Sequence, residues 1–175
     1  MVDLKKIINE AIDPALNIIG IKPSKEAAVM LLAIGLQESR FIDRRQLVGK
    51  PPEPTGPAKS FWQGERGGGM VHGVRIHEAT RDKATLLYKA RGLQPNNQAI
   101  WDAIENDDVL AAGLARLLLW SDPKALPKLG DVEGAWQLYL RTWRPGAYTN
   151  GTPAKRAELR EKWTGNYAKA LGAVQ

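Results

Sequence analysis

The sequence predicts a mainly α protein: a single domain with a buried central helix and a small loop or hairpin region that forms a cleft. Three observations carry this expectation. Apolar residues recur at helical spacing through most of the chain. One segment, Ala27 to Leu36, is apolar almost all round, as a helix buried on every side must be. The middle of the chain is rich in glycine and proline and leaves room only for short strands. A length of 175 residues with 43% hydrophobic residues suits one domain, residues 1–175, built on one core.

Each element has its own warrant. Ile7, Ile8, Ala11, Ile12, Ala15, Leu16 and Ile19 mark an opening amphipathic helix, stopped by Gly20 and Pro23. Ser24 caps the central helix, which is expected to run to about Phe41. Lys50 to Ala58 holds Pro51, Pro52, Pro54, Gly56 and Pro57 and reads as irregular loop. Gly64 to Gly73 reads as loop or turn, with a small hairpin expected between Phe61 and Ile76. Helices follow over Asp82–Arg91, Asn97–Ile104, Asp107–Trp120, Asp131–Trp143 and Pro153–Leu171.

Composition narrows the classes of function. There is no cysteine, which excludes disulfides and thiolate metal sites. His72 and His77 are the only histidines, and no His-Glu-x-x-His motif joins them, so no metal or other cofactor is expected. Gly67-Gly68-Gly69 lacks the Gly-Lys-Ser/Thr of a phosphate loop. The ten-residue apolar run falls well short of the roughly 18 residues of a membrane span. The stretch after Lys5 and Lys6 is broken by Asn9, Glu10, Asp13 and Pro14, so no signal peptide is expected. A net charge of +6 favours anionic partners: nucleic acid, a membrane surface or the acidic bacterial wall. The densest basic group, Lys155, Arg156, Arg160 and Lys162, reads as a solvated helix face.

The chemistry centres on Gln37-Glu38-Ser39-Arg40-Phe41. Here a carboxylate ends a buried helix. Burial and the negative end of the helix dipole both disfavour its charge. Such a carboxyl keeps its proton near neutrality, as a general acid must. The plainer alternative is that Glu38 marks where the helix meets water.

Glu38-Ser39-Arg40-Phe41 resembles the Glu-Ser-x-Phe motif of the lytic transglycosylase and goose-type lysozyme group. Three further segments lie in that family's order. Pro57-Ala58-Lys59-Ser60-Phe61-Trp62-Gln63 is similar to its Gly-Ala-x-Gly-Leu-Met-Gln, with Pro57 and Ser60 replacing glycines. Leu110 to Leu117 is similar to Ile-x-x-Gly-x-x-Tyr-Leu, with Arg116 in place of the tyrosine. Ala135 to Arg141 lies where the family has Ala-Tyr-Asn-Ala-Gly, and retains only the tyrosine, as Tyr139. Together these cover roughly residues 27 to 145. Trp143-Arg144-Pro145-Gly146 adds a likeness to phage proteins.

The resemblance implies a lysozyme-like fold. It also implies cleavage of the β-1,4 bond between N-acetylmuramic acid and N-acetylglucosamine in bacterial peptidoglycan. Glu38 would be the general acid and then the base. Gln63 would bond sugar groups or Glu38, and Tyr139 would bond Glu38 or an N-acetyl group. Trp62 offers a flat face to a sugar ring, and its alternative is core packing. Ser39, inside the motif, joins the substrate-binding set. Asp43 and Glu65 are the candidates for a second acid. Asp43, flanked by Arg44 and Arg45, reads more plainly as an ion-pair residue, and Glu65 as a binding residue of the cleft. A phage source is expected, with synthesis in the host cytoplasm and action on the wall in the periplasm, through a holin or from the virion. Two other classes stay open: a non-catalytic phage structural protein on the same fold, and a basic helical nucleic-acid binder, which no recognition motif supports.

Overall fold

A computed structural model describes residues 1–175. The chain opens on one continuous helical run: α1 (Leu4–Ile7), a π-helical turn (Ile8–Ile12) and α2 (Asp13–Ile19). The widened turn lies just before Pro14, which has no N–H to give to the preceding turn. Ala11, Ile12, Ala15, Leu16 and Ile19 form its buried face.

The central helix, α3 (Lys25–Glu38), starts as expected, with the Ser24 hydroxyl accepting from the Ala27 N–H at 3.1 Å. Ala27 through Gln37 are all buried, and Leu31, Leu32 and Ile34 are wholly so. The helix ends at Glu38 rather than at Phe41, because Arg40 and Phe41 take left-handed φ of 57° and 55°. That reversal folds the Phe41 ring back onto Gly35. A Cβ on Gly35 would lie 2.1 Å from the ring, so only glycine admits this return.

The hairpin is smaller and earlier than expected. It pairs β1 (Ala58–Lys59) with β2 (Gly64–Glu65), antiparallel, with Ala58 opposite Glu65. The stretch read as loop or strand up to Ile76 is instead helical: a π-helical turn (Gly69–Gly73) runs into α4 (Val74–Ile76). Met70, Val71 and Val74 share its buried face. Their helical spacing was obscured by the glycines around them.

The remaining helices are α5 (Arg81–Ala90), α6 (Asn97–Ile104), α7 (Asp108–Trp120), α8 (Val132–Trp143), α9 (Gly146–Thr149) and α10 (Pro153–Ala173). Asn96, Asp107, Asp131 and Thr152 cap α6, α7, α8 and α10 with side-chain oxygens. The opening run packs on α5 and α7, while α3 packs on α7 and α10. No helix is long and apolar enough to cross a membrane.

Four contacts tie the hairpin to this frame. The Trp62 indole N–H donates to the Leu31 carbonyl at 2.9 Å. The Ser39 hydroxyl donates to the Phe61 carbonyl at 2.8 Å. Lys59, buried, meets Glu105 at 3.1 Å and lies 3.6 Å from the Trp101 ring centre. Arg44, whose backbone carbonyl accepts from the Ser60 N–H, makes a bidentate pair with Asp108 at the start of α7.

Two buried polar groups are left without partners, the Tyr88 hydroxyl and Arg116 Nε. Burial pushes the Tyr88 phenol up to about 12 and pulls the Arg116 guanidinium below its ordinary value. An unpaired buried donor is unfavourable by about 1–3 kcal/mol. Tyr88→Phe is therefore expected to raise the stability by about 1 kcal/mol in urea unfolding, with Arg116→Met moving the same way. A loss of stability in Tyr88→Phe would show that the hydroxyl has a partner.

Candidate functional site

Glu38 stands at the last turn of α3, half-buried, under α8 and α10. The Tyr139 hydroxyl, from α8, donates to Glu38 Oε1 at 2.6 Å. Tyr139 is buried and stacks on Trp163 of α10, with ring centres 5.0 Å apart and an interplanar angle of 13°. The phenol is therefore fixed before it meets the carboxyl. The second oxygen, Oε2, has no hydrogen-bond partner within the protein, and the side chain opens into a cavity of about 280 Å³.

Burial raises the Glu38 pKa from 4.5 to about 7, against the opposing pull of the Tyr139 hydrogen bond and the Lys162 charge. Tyr139 is pushed far above its ordinary value by burial first, then by the charge of Glu38 and its hydrogen bond. The phenol thus stays protonated and remains the donor. A carboxyl that titrates near neutrality can give up a proton and take one back at physiological pH.

Glu38, Tyr139, Gln63 and Glu65 line this one compartment, together with Trp136, Trp143, Arg144 and Tyr148. Gln63 sits at a left-handed φ of 55°, and its amide donates to the Ser60 carbonyl at 2.8 Å. Its amide oxygen and second N–H remain free. Glu65 is exposed on β2 and has no ion-pair partner. A second compartment of about 650 Å³ shares Gln63, Glu65, Trp143 and Arg144 with the first. It extends past Gly67–Gly69, His72 and His77 to the Asp122–Arg141 ion pair. The two compartments adjoin, and Glu38 lies in the smaller one.

Two residues expected to bind substrate do not reach the cleft. Trp62 is wholly buried, packed edge-on against Phe41 and Phe61. Its indole N–H donates to the Leu31 carbonyl and anchors the hairpin, and its wholly buried ring offers no sugar platform. Ser39 is also buried. Its hydroxyl accepts from the Phe41 N–H at 3.1 Å and donates to Phe61, closing the turn after Glu38. Beside Tyr139, the aromatic side chains of the cleft are Trp136, Tyr148 and Trp143 instead, and Trp143 is held by its N–H to the Trp62 carbonyl at 2.9 Å. In the sequence Trp143 is marked only by the Trp-Arg-Pro-Gly segment. Asp43 lies 3.9 Å from Arg40 and lines neither compartment. Its flanking arginines turn elsewhere, Arg44 to Asp108 and Arg45 to the Gly56 carbonyl.

The basic group of α10 is not simply solvated. Arg160 pairs with Glu133, Arg156 bonds the Tyr148 and Thr149 carbonyls, and Lys162 donates to the Gln37 carbonyl at 2.8 Å. Sequence reasoning missed Gln37, Lys162 and Asn166 as neighbours of the site.

Comparison with protein-family models, curated proteins and solved structures found no match for this chain. The chemistry of the site therefore rests on its own geometry.

That geometry has a consequence for stability. Below pH 4.5 the Glu38 carboxyl is protonated in the folded and unfolded chains alike and contributes nothing. Between 4.5 and about 7 the folded chain keeps a proton that the unfolded chain releases, so stability falls as pH rises. Above that window the penalty is constant, at most roughly 3 kcal/mol. Glu38→Gln should melt like wild type at pH 4 and above it by pH 8, the gap opening between those values. A pH-independent gap would contradict the raised pKa. Gly35→Ala should lower the melting temperature, because the Phe41 ring must leave its seat; overpacking of this kind typically costs about 1–3 kcal/mol. An unchanged melting temperature would mean that the turn tolerates a displaced ring.

Proposed function

We propose that this protein cleaves the glycan strands of bacterial peptidoglycan, at the β-1,4 bond between N-acetylmuramic acid and N-acetylglucosamine, with Glu38 as general acid and then base. The observation that carries this reading is a carboxyl raised to about 7, held on one oxygen by Tyr139 and lining a cavity that adjoins a larger one. The resemblance of Glu38-Ser39-Arg40-Phe41 and of the segments around Gln63 and Tyr139 supports the choice of substrate. A net charge of +6 suits an acidic wall polymer.

In this mechanism Tyr139 donates to Oε1, so the acidic proton is carried on Oε2 and is delivered to the glycosidic oxygen. As the bond breaks, the carboxylate that remains is stabilised by the Tyr139 hydroxyl and by the positive charge of Lys162. The sugar left as an oxocarbenium-like centre is then attacked from an oxygen that Glu38 deprotonates. If that oxygen is water, the product has a reducing end. If it is the muramyl 6-hydroxyl, the product is a 1,6-anhydro sugar. Glu65, unpaired and lining both compartments, would orient the attacking water or stabilise the cation. Gln63 offers a free amide oxygen and N–H to sugar hydroxyl or N-acetyl groups, and Trp143 a half-buried aromatic wall.

Glu38→Gln should lower the rate of wall clearance by about 10²–10⁴-fold while the fold is kept. In wild type the activity should decline as pH rises through about 7, when the acid loses its proton. Asp43→Asn should stay near wild type. Glu65→Gln should lose most activity if water attacks and keep most of it if the muramyl hydroxyl does. Mass spectrometry of digested muropeptides separates the two outcomes by their reducing or anhydro ends. A wild-type digest with neither kind of new end would overturn the proposal.

A further inference from the structure

The segment leading into Glu38 is held by a different helix. α3 stops at Glu38, so its last carbonyls have no partner in the next turn. Ser39 N–H serves the Gly35 carbonyl and Arg40 N–H serves that of Leu36. The Gln37 carbonyl belongs to the peptide that joins Gln37 to Glu38, and it accepts from Lys162 Nζ at 2.8 Å. The Gln37 side chain is buried, 6% exposed, and α10 takes both ends of it. Its Oε1 accepts from Asn166 Nδ2 at 2.9 Å, and its Nε2 donates to the Leu159 carbonyl at 3.2 Å. Leu159, Lys162, Trp163 and Asn166 follow at spacings of three and four, so one face of α10 carries the whole clamp. Trp163, on that face, also stacks on Tyr139.

We propose that α10 is the positioning element of Glu38: Asn166 and Leu159 lock the Gln37 amide, and Lys162 caps the peptide before Glu38, placing a fixed positive charge at the carboxyl's own helix turn. A buried amide with both ends bonded leaves the turn one orientation. A cation at a helix C-terminus also offsets the negative end of the helix dipole.

Titratable groups stand around Glu38 on several elements. Tyr139 lies on α8, Lys162 on α10, and Glu65 and Arg144 across the compartment. Lys162 in turn senses Glu38, Arg40, Lys155 and Glu158. Of the groups acting on Glu38, burial dominates upward, while Tyr139 and Lys162 pull down. Lys162 thus keeps a buried acid from becoming too weak to release its proton, and it favours the carboxylate that must form in the transition state. The consequence for turnover rests on the reading of Glu38 as a proton donor; the positioning itself does not.

The test is a pH titration of the Glu38 carboxyl carbon by NMR in the full chain, with wild type, Lys162→Gln, Lys162→Met and Lys162→Arg. Lys162→Gln keeps a donor for the Gln37 carbonyl and removes the charge. Its midpoint should rise by roughly half to one unit, Lys162→Met should rise at least as far, and Lys162→Arg should return it. Because Lys162 is exposed, about 1 M salt should shrink the shift. An unchanged midpoint in both neutral variants would overturn the proposal. Asn166→Ala should lower kcat about tenfold with KM unchanged, since a loosened acid misplaces only the transition state. A rise in KM alone would instead assign Asn166 to substrate binding and overturn its positioning role. If Glu38→Gln still clears walls, the proposed function fails, and the titration still decides the clamp.

Discussion

A helix buried on every face must be covered on every face, and this requirement of α3 arranges the rest of the protein. α7 and α10 lie along it, and the Trp62 corner of the hairpin is bonded to it at mid-length. Only its C-terminal end approaches the cleft, and Glu38 is the residue there. The carboxyl therefore lies in a place where water is scarce and its charge is disfavoured, while the side chain still lines an open cavity. The same burial that stabilises the fold through Leu31, Leu32 and Ile34 sets the acidity of the site.

The turn after Glu38 shows how tightly structure and chemistry are joined. Gly35 has no side chain because Phe41 occupies that space. The Ser39 hydroxyl accepts from the Phe41 N–H, two residues on, and donates across to the Phe61 carbonyl. Within the Glu-Ser-x-Phe segment Glu38 carries the acid, Ser39 knots the turn to the hairpin, and Phe41 plugs the bend. The knot also fixes the hairpin loop, where Ser60 and Gln63 adopt left-handed backbone with φ of 73° and 55°. Ser60 occupies one of the positions where the resembled family has glycine, a residue that takes this conformation without strain. Ser60 offsets the strain in part with its hydroxyl, which accepts from the Trp62 N–H at 3.2 Å.

The aromatic residues divide between two duties. Trp62, Phe41 and Phe61 form an edge-to-face cluster under the hairpin, away from solvent. Trp136, Tyr139 and Trp163 form a second cluster between α8 and α10, with Tyr148 edge-on to Trp136. The first cluster places the loop that carries Gln63. The second places the phenol that meets Glu38, so an acid on one helix depends on packing between two others.

By itself the sequence determined the helical character, the central position of α3, its Ser24 cap and the identity of the residue at its exposed end. These are local or periodic properties: apolar spacing, a capping hydroxyl, a carboxylate two residues past the end of a ten-residue apolar run. It also named Gln63 and Tyr139 through segments matched in order, and Glu65 from its place at the start of a glycine-rich turn, and all three line one compartment with Glu38. It could not tell Trp62 from Trp143, because an indole reads the same in a core and on a cleft wall; both N–H groups donate to backbone carbonyls, and only burial distinguishes them, complete for Trp62 and partial for Trp143. It read Lys162 as a solvated charge, because the carbonyl that Lys162 caps lies 125 residues away. Tertiary structure alone decided that Tyr139 rests on Glu38, 101 residues apart, and that α10 grips Gln37. Contacts between residues so distant in the chain leave no period or spacing behind, since they exist only once the core has brought the helices together.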